Sequence, residues 1–96
     1  MIIREIKFQR HSFTGYELEM PHAPLILVKA KNGYVMCGYL DINTAEKLGD
    51  SACIVRGVSN IDELLKKEVT DVSSKARLLK VKKGMTGLQA LIKMDK

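Results

Sequence analysis

The fold of this chain turns on one stretch, N-G-Y-V-M-C-G-Y-L-D at residues 32–41. It opens with Asn32-Gly33, the strongest short-range hairpin signal, because a type I′ turn needs positive φ at both central residues. A strand over residues 34–40 should follow, with Val35, Cys37 and Tyr39 on one face and Tyr34, Met36 and Leu40 on the other. A strand that is apolar on both sides is one covered on both sides, so this segment is predicted to lie centrally in its sheet. Asp41 ends it with a side chain able to cap a helix.

Working backward, residues 25–31 supply the antiparallel partner across the Asn32-Gly33 turn. Pro21 and Pro24 each remove a ladder donor, so the strand before them must stop there. In that strand Tyr16, Leu18 and Met20 alternate with Glu17 and Glu19, the pattern of a sheet with one wet face. Gly15 within it predicts a bulge. Residues 2–9, rich in Ile and Phe, make the first strand, after which residues 9–12 are a weak turn. Residues 1–40 therefore read as a four-stranded antiparallel β-meander.

Working forward, the period changes. Asp41, or Asn43 with Glu46 as a capping box, starts a two-turn helix, and Gly49 is placed to end it in the left-handed conformation. Residues 52–56 read as a buried fifth strand, and the connection is long enough to return parallel to the central one, which makes the sheet mixed. Ser59 or Asn60 caps a helix with the stripe Ile61, Leu64, Leu65, and Thr70 or Asp71 caps another carrying Val72, Ala76 and Leu79. Thr86 and Gln89 form a T-x-x-Q box for a last helix over residues 87–94. The expected fold is α+β in a single domain over residues 1–96: a β-meander extended by a fifth strand into a mixed sheet, covered by about four short helices.

Composition narrows the function classes. Ninety-six residues at 46% hydrophobic content make one globular domain. A chain this small buries only about 60–70% of its unfolded surface, so self-association would supplement its core. No run approaches the roughly eighteen apolar residues of a membrane helix, and Arg4, Glu5 and Lys7 interrupt any secretory segment, so a soluble cytoplasmic protein without a membrane partner is expected. From Lys66 onward nine Lys or Arg face three acids, a net +6, whereas the first sixty-five residues have seven bases and eight acids. A basic end can draw in nucleic acid or acidic ligands, but more commonly it is a solvated face. Single-strand binders interleave aromatics with cations. Here Phe8, Phe13, Tyr16, Tyr34 and Tyr39 all precede the basic third, which argues against nucleic acid.

Three segments in order, G-Y-V-M-C-G-Y-L-D at residues 33–41, I-V-R-G-V at 54–58 and G-M-T-G-L-Q-A-L at 84–91, resemble the YunC-like family of small prokaryotic domains of unknown function. The likeness runs over residues 24–92. It implies an α+β domain whose N-terminal strands mediate homo-oligomerisation, with no established activity or cofactor. The chain departs from the family pattern at Lys80, where a glycine often stands before the position of Val81, and at Leu88-Gln89, which replaces a more charged pair.

Parallel strands ending at Leu40 and Arg56 would align Gly38, Asp41, Arg56 and Gly57 along the sheet edge that ligands favour in open α/β arrangements. Glycines let backbone approach a ligand, and Arg56 offers a planar fork for carboxylate or phosphate. The plainer reading is a structural Asp41–Arg56 ion pair. Gly84, Thr86 and Gly87 flank a helix start that could cradle an anion, although no G-K-[ST] follows and every helix has such an end. Cys37 is a candidate nucleophile if His11 or His22 serves as its base. A buried cysteine that packs as a small hydrophobe is the commoner case, and it applies to Cys53 as well. His11, His22, Cys37 and Cys53 lack the short spacings of a zinc site, so neither metal nor cofactor is expected. The leading reading is a binding or regulatory module for a small anionic ligand. Its rivals are a cysteine-dependent enzyme using Cys37 and a structural subunit of a larger assembly.

Overall fold

The structure, a computed structural model, describes residues 1–95. Its elements are β1 (Ile2–Phe8), β2 (His11–Leu18), β3 (Leu25–Lys29), β4 (Tyr34–Met36), α1 (Ile42–Leu48), β5 (Ala52–Ile54), α2 (Ile61–Lys66), β6 (Asp71–Val72), α3 (Ser74–Leu78) and α4 (Gly87–Lys93). The strands form one sheet in sequence order, β1-β2-β3-β4-β5-β6. All neighbours are antiparallel except β4 and β5, which are parallel with Val35 opposite Cys53. The fold is α+β with a mixed six-stranded sheet and four helices, one strand more than the sequence suggested.

Period-two alternation divides the sheet into two faces. On one, Phe13, Ile26, Val28, Val35, Cys37 and Cys53 pack beneath Ile61 and Leu64 of α2 and Ala90, Leu91 and Met94 at α4. On the other, Met36, Ala52 and Ile54 pack against Ala45 of α1. Only the middle of the sheet has helices on both sides. At one edge, β1 is exposed along almost its whole length.

Several local readings are corrected. The β3–β4 connection is not a two-residue type I′ turn, since neither Asn32 nor Gly33 has positive φ. Lys29 pairs with Tyr34, and the four-residue loop closes through the Ala30 N–H on the Gly33 carbonyl, 2.8 Å. Glycine is needed at 33 for room: a Cβ there would lie 2.5 Å from Met94 Sδ and 2.7 Å from the Ser51 carbonyl oxygen. Gly15 likewise makes no bulge, because the β1–β2 register runs unbroken from Ile2 opposite Glu17 to Phe8 opposite His11. It is the spot where α2 settles on the sheet, with Ile61 Cδ1 only 2.9 Å from where a Cβ would stand.

The central strand is also shorter than its alternation implied. Cys37 makes one more ladder bond, its N–H donating to the Ile26 carbonyl at 3.0 Å, and then the Leu40 N–H folds back to the Cys37 carbonyl at 3.2 Å. That turn delivers Asp41 as the N-cap of α1, with Oδ1 accepting the Asn43 N–H at 3.1 Å; Gly49 (φ 78) closes the helix. Two residues assigned to the third helix start, Asp71 and Val72, instead form β6, and Ser73 is the cap. Buried Ser73 satisfies three partners: Oγ accepts from the Ala52 and Ala76 N–H groups and donates to the Asp50 carbonyl. The caps at Asn60 and at Thr86 with Gln89 stand as read.

Lys80 follows α3 with φ 72. The Val81 N–H reaches the Ala76 carbonyl at 3.1 Å and the Lys80 N–H the Arg77 carbonyl at 2.9 Å, the paired bonds of a Schellman ending with Lys80 in the left-handed position. Its Cβ makes that conformation costly, whereas glycine adopts it freely. Lys80→Gly is expected to stabilise the fold by about 1 kcal/mol, the relief of left-handed strain less the added freedom of the unfolded chain. Chemical denaturation reads this as a higher midpoint, and an unchanged or lower midpoint would contradict the assigned strain.

Candidate functional site

The parallel pair β4–β5 sends two chain segments out of the sheet at the same end. After Met36 come Cys37 and Gly38, and after Ile54 come Val55, Arg56 and Gly57. The Val55 N–H donates to the Met36 carbonyl at 2.9 Å, so the two segments stay abreast as they leave. Between them and the β2–β3 connection lies a cavity of about 270 Å³, walled by Pro24, Cys37, Gly38, Tyr39, Gly57 and Val58.

Arg56 sits at this site with its guanidinium against Gly38, where a Cβ would be 3.5 Å from Nη1. Nε and Nη2 both donate to Asp71 Oδ2, at 3.2 and 2.9 Å, and Thr70 Oγ1 donates to the same oxygen at 3.1 Å. These bonds, the Arg56 one foremost, hold the Asp71 carboxyl below the usual carboxylate range. The ion pair is half exposed, so it contributes little to stability. It does fix the fork. Nη1 has no hydrogen-bond partner among the described residues and is the guanidinium nitrogen left for a ligand.

Gly57 adopts φ 71, and its carbonyl accepts Lys67 Nζ at 2.7 Å. Cys37, with 3% of its surface exposed, turns its sulfur to the sheet, where Sγ accepts the Ile26 N–H at 3.2 Å. Of its candidate bases, His22 lies in the β2–β3 connection at the same end of the sheet. His11 stands at the opposite end, 2.9 Å from Asp95 Oδ2. Cys53 is buried against Val35, and burial pushes its thiol up to about 12, so it stays protonated and inert at neutral pH. Among the described residues no group of three or more His, Cys, Asp and Glu is arranged to hold a metal ion, and no helix is long and apolar enough to cross a membrane.

The structure brings Cys37, Gly38, Arg56 and Gly57 together. It does not add Asp41: both carboxylate oxygens are engaged in the α1 cap, Oδ2 accepting Thr44 Oγ1 at 3.0 Å, and Arg56 pairs with Asp71 rather than with Asp41. Gly84, Thr86 and Gly87 also have their N–H groups engaged, by the Val69 carbonyl, Gln89 Oε1 and the Lys67 carbonyl, so this turn is built as a cap and a strand partner. The residues that sequence reasoning missed are Asp71, Thr70 and Lys67. Their signal was faint, because a two-residue strand is too short to show alternation and Lys67 reads as one cation in a basic run.

The comparisons agree with this fold and attach no activity to it. Residues 36–94 match the family described as Domain of unknown function (DUF1805). The chain is 35% identical over 95 residues to the uncharacterized protein YunC of Bacillus subtilis, covering 95% of this chain and 94% of that one. It is also similar to the crystal structure of a protein of unknown function, TA1206, from Thermoplasma acidophilum, with a TM-score of 0.91 at 30% identity over 97% of this chain and 91% of that one. With a family match over most of its length and a relative alike from end to end, the chain belongs to the DUF1805 family, whose function is unknown.

Proposed function

We propose that this protein is a cytoplasmic, homo-oligomeric binding module that takes a small anionic ligand at the carboxyl ends of β4 and β5. The observation that carries this reading is Arg56 Nη1, which has no hydrogen-bond partner among the described residues and lies beside Gly38, one of the residues that wall the cavity. Asp71 occupies one edge of the guanidinium and leaves the other for a carboxylate or phosphate, while Pro24, Tyr39 and Val58 offer an apolar wall to the ligand's body. A volume of about 270 Å³ lies just under the usual range for small-molecule sites, which limits the ligand to a small one. The position, beyond the ends of parallel strands, is where such sheets commonly hold ligands. Two free, buried cysteines suit a reducing compartment.

Self-association is supported by β1. As an edge strand it carries Ile2, 55% exposed, and Ile3, 60% exposed, on opposite faces, and among the described residues no strand pairs with its outer edge. Exposed apolar edges invite pairing, and a second copy would cover this one. Sedimentation at micromolar concentration is expected to show more than one chain per particle, with Ile3→Lys shifting it toward monomer. A wild-type monomer would remove the oligomer from the account.

Thermal-shift screening with small carboxylates and organic phosphates is expected to raise the melting temperature. Arg56→Ala should weaken that ligand at least tenfold, the order of a lost charge-assisted hydrogen bond. Because the Arg56–Asp71 pair is exposed, the variant should fold normally. A variant that keeps the full ligand-induced shift would overturn this assignment.

A further inference from the structure

We infer that the protein has a second ligand site, for a small organic phosphate, in the cleft between the β1–β2 turn and the β3–β4 loop. This cleft lies at the opposite end of the sheet from the Cys37 cavity and is the roomier of the two, about 600 Å³. Three cations line it: Arg10 in the turn, Lys29 at the end of β3 and Lys31 in the loop. None of them has a carboxylate partner among the described residues. The single acid in the lining, Asp95, is already occupied. Its Oδ1 accepts the Lys31 N–H at 3.1 Å, and its Oδ2 is 2.9 Å from His11 Nδ1. Glu5, on β1 opposite Thr14, is 3.5 Å from Lys7 and is not among the residues that line the cleft.

The floor of the cleft is equally specific. Ser12, Thr14 and Tyr16 alternate along β2 and so share one face, and Thr14 is directly opposite Lys29 in the β2–β3 register. That face places three hydroxyl groups in the same lining as three cationic side chains. The lining sets three cations against one carboxylate, Asp95, and a bound anion offsets the remaining excess of positive charge. A phosphate presents several acceptor oxygens to such a set of donors, and the ring of Tyr16 gives the organic part of the molecule a flat surface. His11, its Nδ1 fixed by Asp95 and its ring stacked on Phe13 with centroids 6.0 Å apart, ties the C-terminal end of the chain to the cleft wall.

Size and shape select the ligand class. The volume falls within the range of small-molecule sites, about 300–1,000 Å³. An extended nucleic-acid strand needs a longer track with several free stacking rings, and this lining supplies Tyr16 and a His11 ring already stacked on Phe13.

The test is a chemical-shift titration of the full chain, isotopically labelled, with inorganic phosphate, pyrophosphate and AMP at low ionic strength. Saturable shifts are expected at Ser12, Thr14 and Lys31, with AMP binding more tightly than inorganic phosphate because the organic part adds contacts. Lys29 and Lys31 are exposed, so Lys29→Ala/Lys31→Ala should fold normally and weaken AMP at least tenfold. Arg10→Ala, in the exposed turn, should weaken it by a similar order. Arg56→Ala should leave it unchanged, which separates this site from the one proposed at Arg56. The inference falls if no titration saturates, if the shifts map to Arg56 and Gly57, if the double variant binds as the parent does, or if only an oligonucleotide binds.

Discussion

The constraint on which this domain depends is the short parallel pairing of β4 with β5. Val35 and Cys53 face each other in the register with no exposed surface, under α2 and α4, while Met36 and Ile54 pair, also buried, under α1. A parallel pair has little to hold it except burial of both faces, so the helices and this pair need one another. The connection through α1 can be brief because both helix ends are defined: Asp41 caps the start and left-handed Gly49 turns the chain back toward β5. The Tyr34 N–H on the Ser51 carbonyl and the Val55 N–H on the Met36 carbonyl extend the pairing one residue beyond each end of β5.

From this pairing the positions of both proposed ligand sites follow. Backbones held abreast as far as Val55 must diverge afterwards, and the gap they leave is the cavity between Cys37 and Gly57. At the other end the β3–β4 loop is pinned under α4, with the Asn32 N–H on the Met94 carbonyl, and this holds Lys31 and Asp95 beside the start of β2. The two proposed sites are thus at opposite ends of one buried centre. β1 extends away from that centre, tied to it on one side by the Arg4–Asp62 pair and by Ile6 packing against the core.

Much of this was legible in the residues. Asp41, Gly49, Asn60, Thr86 and Gln89 announced their helix ends because capping is local chemistry, complete within four residues. The parallel return of β5 could be read because a strand apolar on both faces must be covered on both. What could not be read was set by distant partners. Gly15 and Gly33 looked like signs of backbone freedom, yet they are sites of close approach by Ile61 and Met94, forty-six and sixty-one positions away. Arg56 was expected to meet Asp41, and no local rule could show that a two-residue strand would bring Asp71 to it instead. The cleft at Arg10, Lys29 and Lys31 escaped notice for the same reason, since its cations come from a turn, a strand end and a loop that only the sheet unites.

The most direct test of the central pairing is native-state hydrogen exchange, resolved by residue. If the β4–β5 pair holds the domain together, the Cys37 and Val55 amides, bonded to Ile26 and Met36, should exchange only through global unfolding and rank among the slowest in the chain. Exchange at those two amides as fast as at the exposed β1–β2 turn would show that the pair opens independently. The account built on it would then be contradicted.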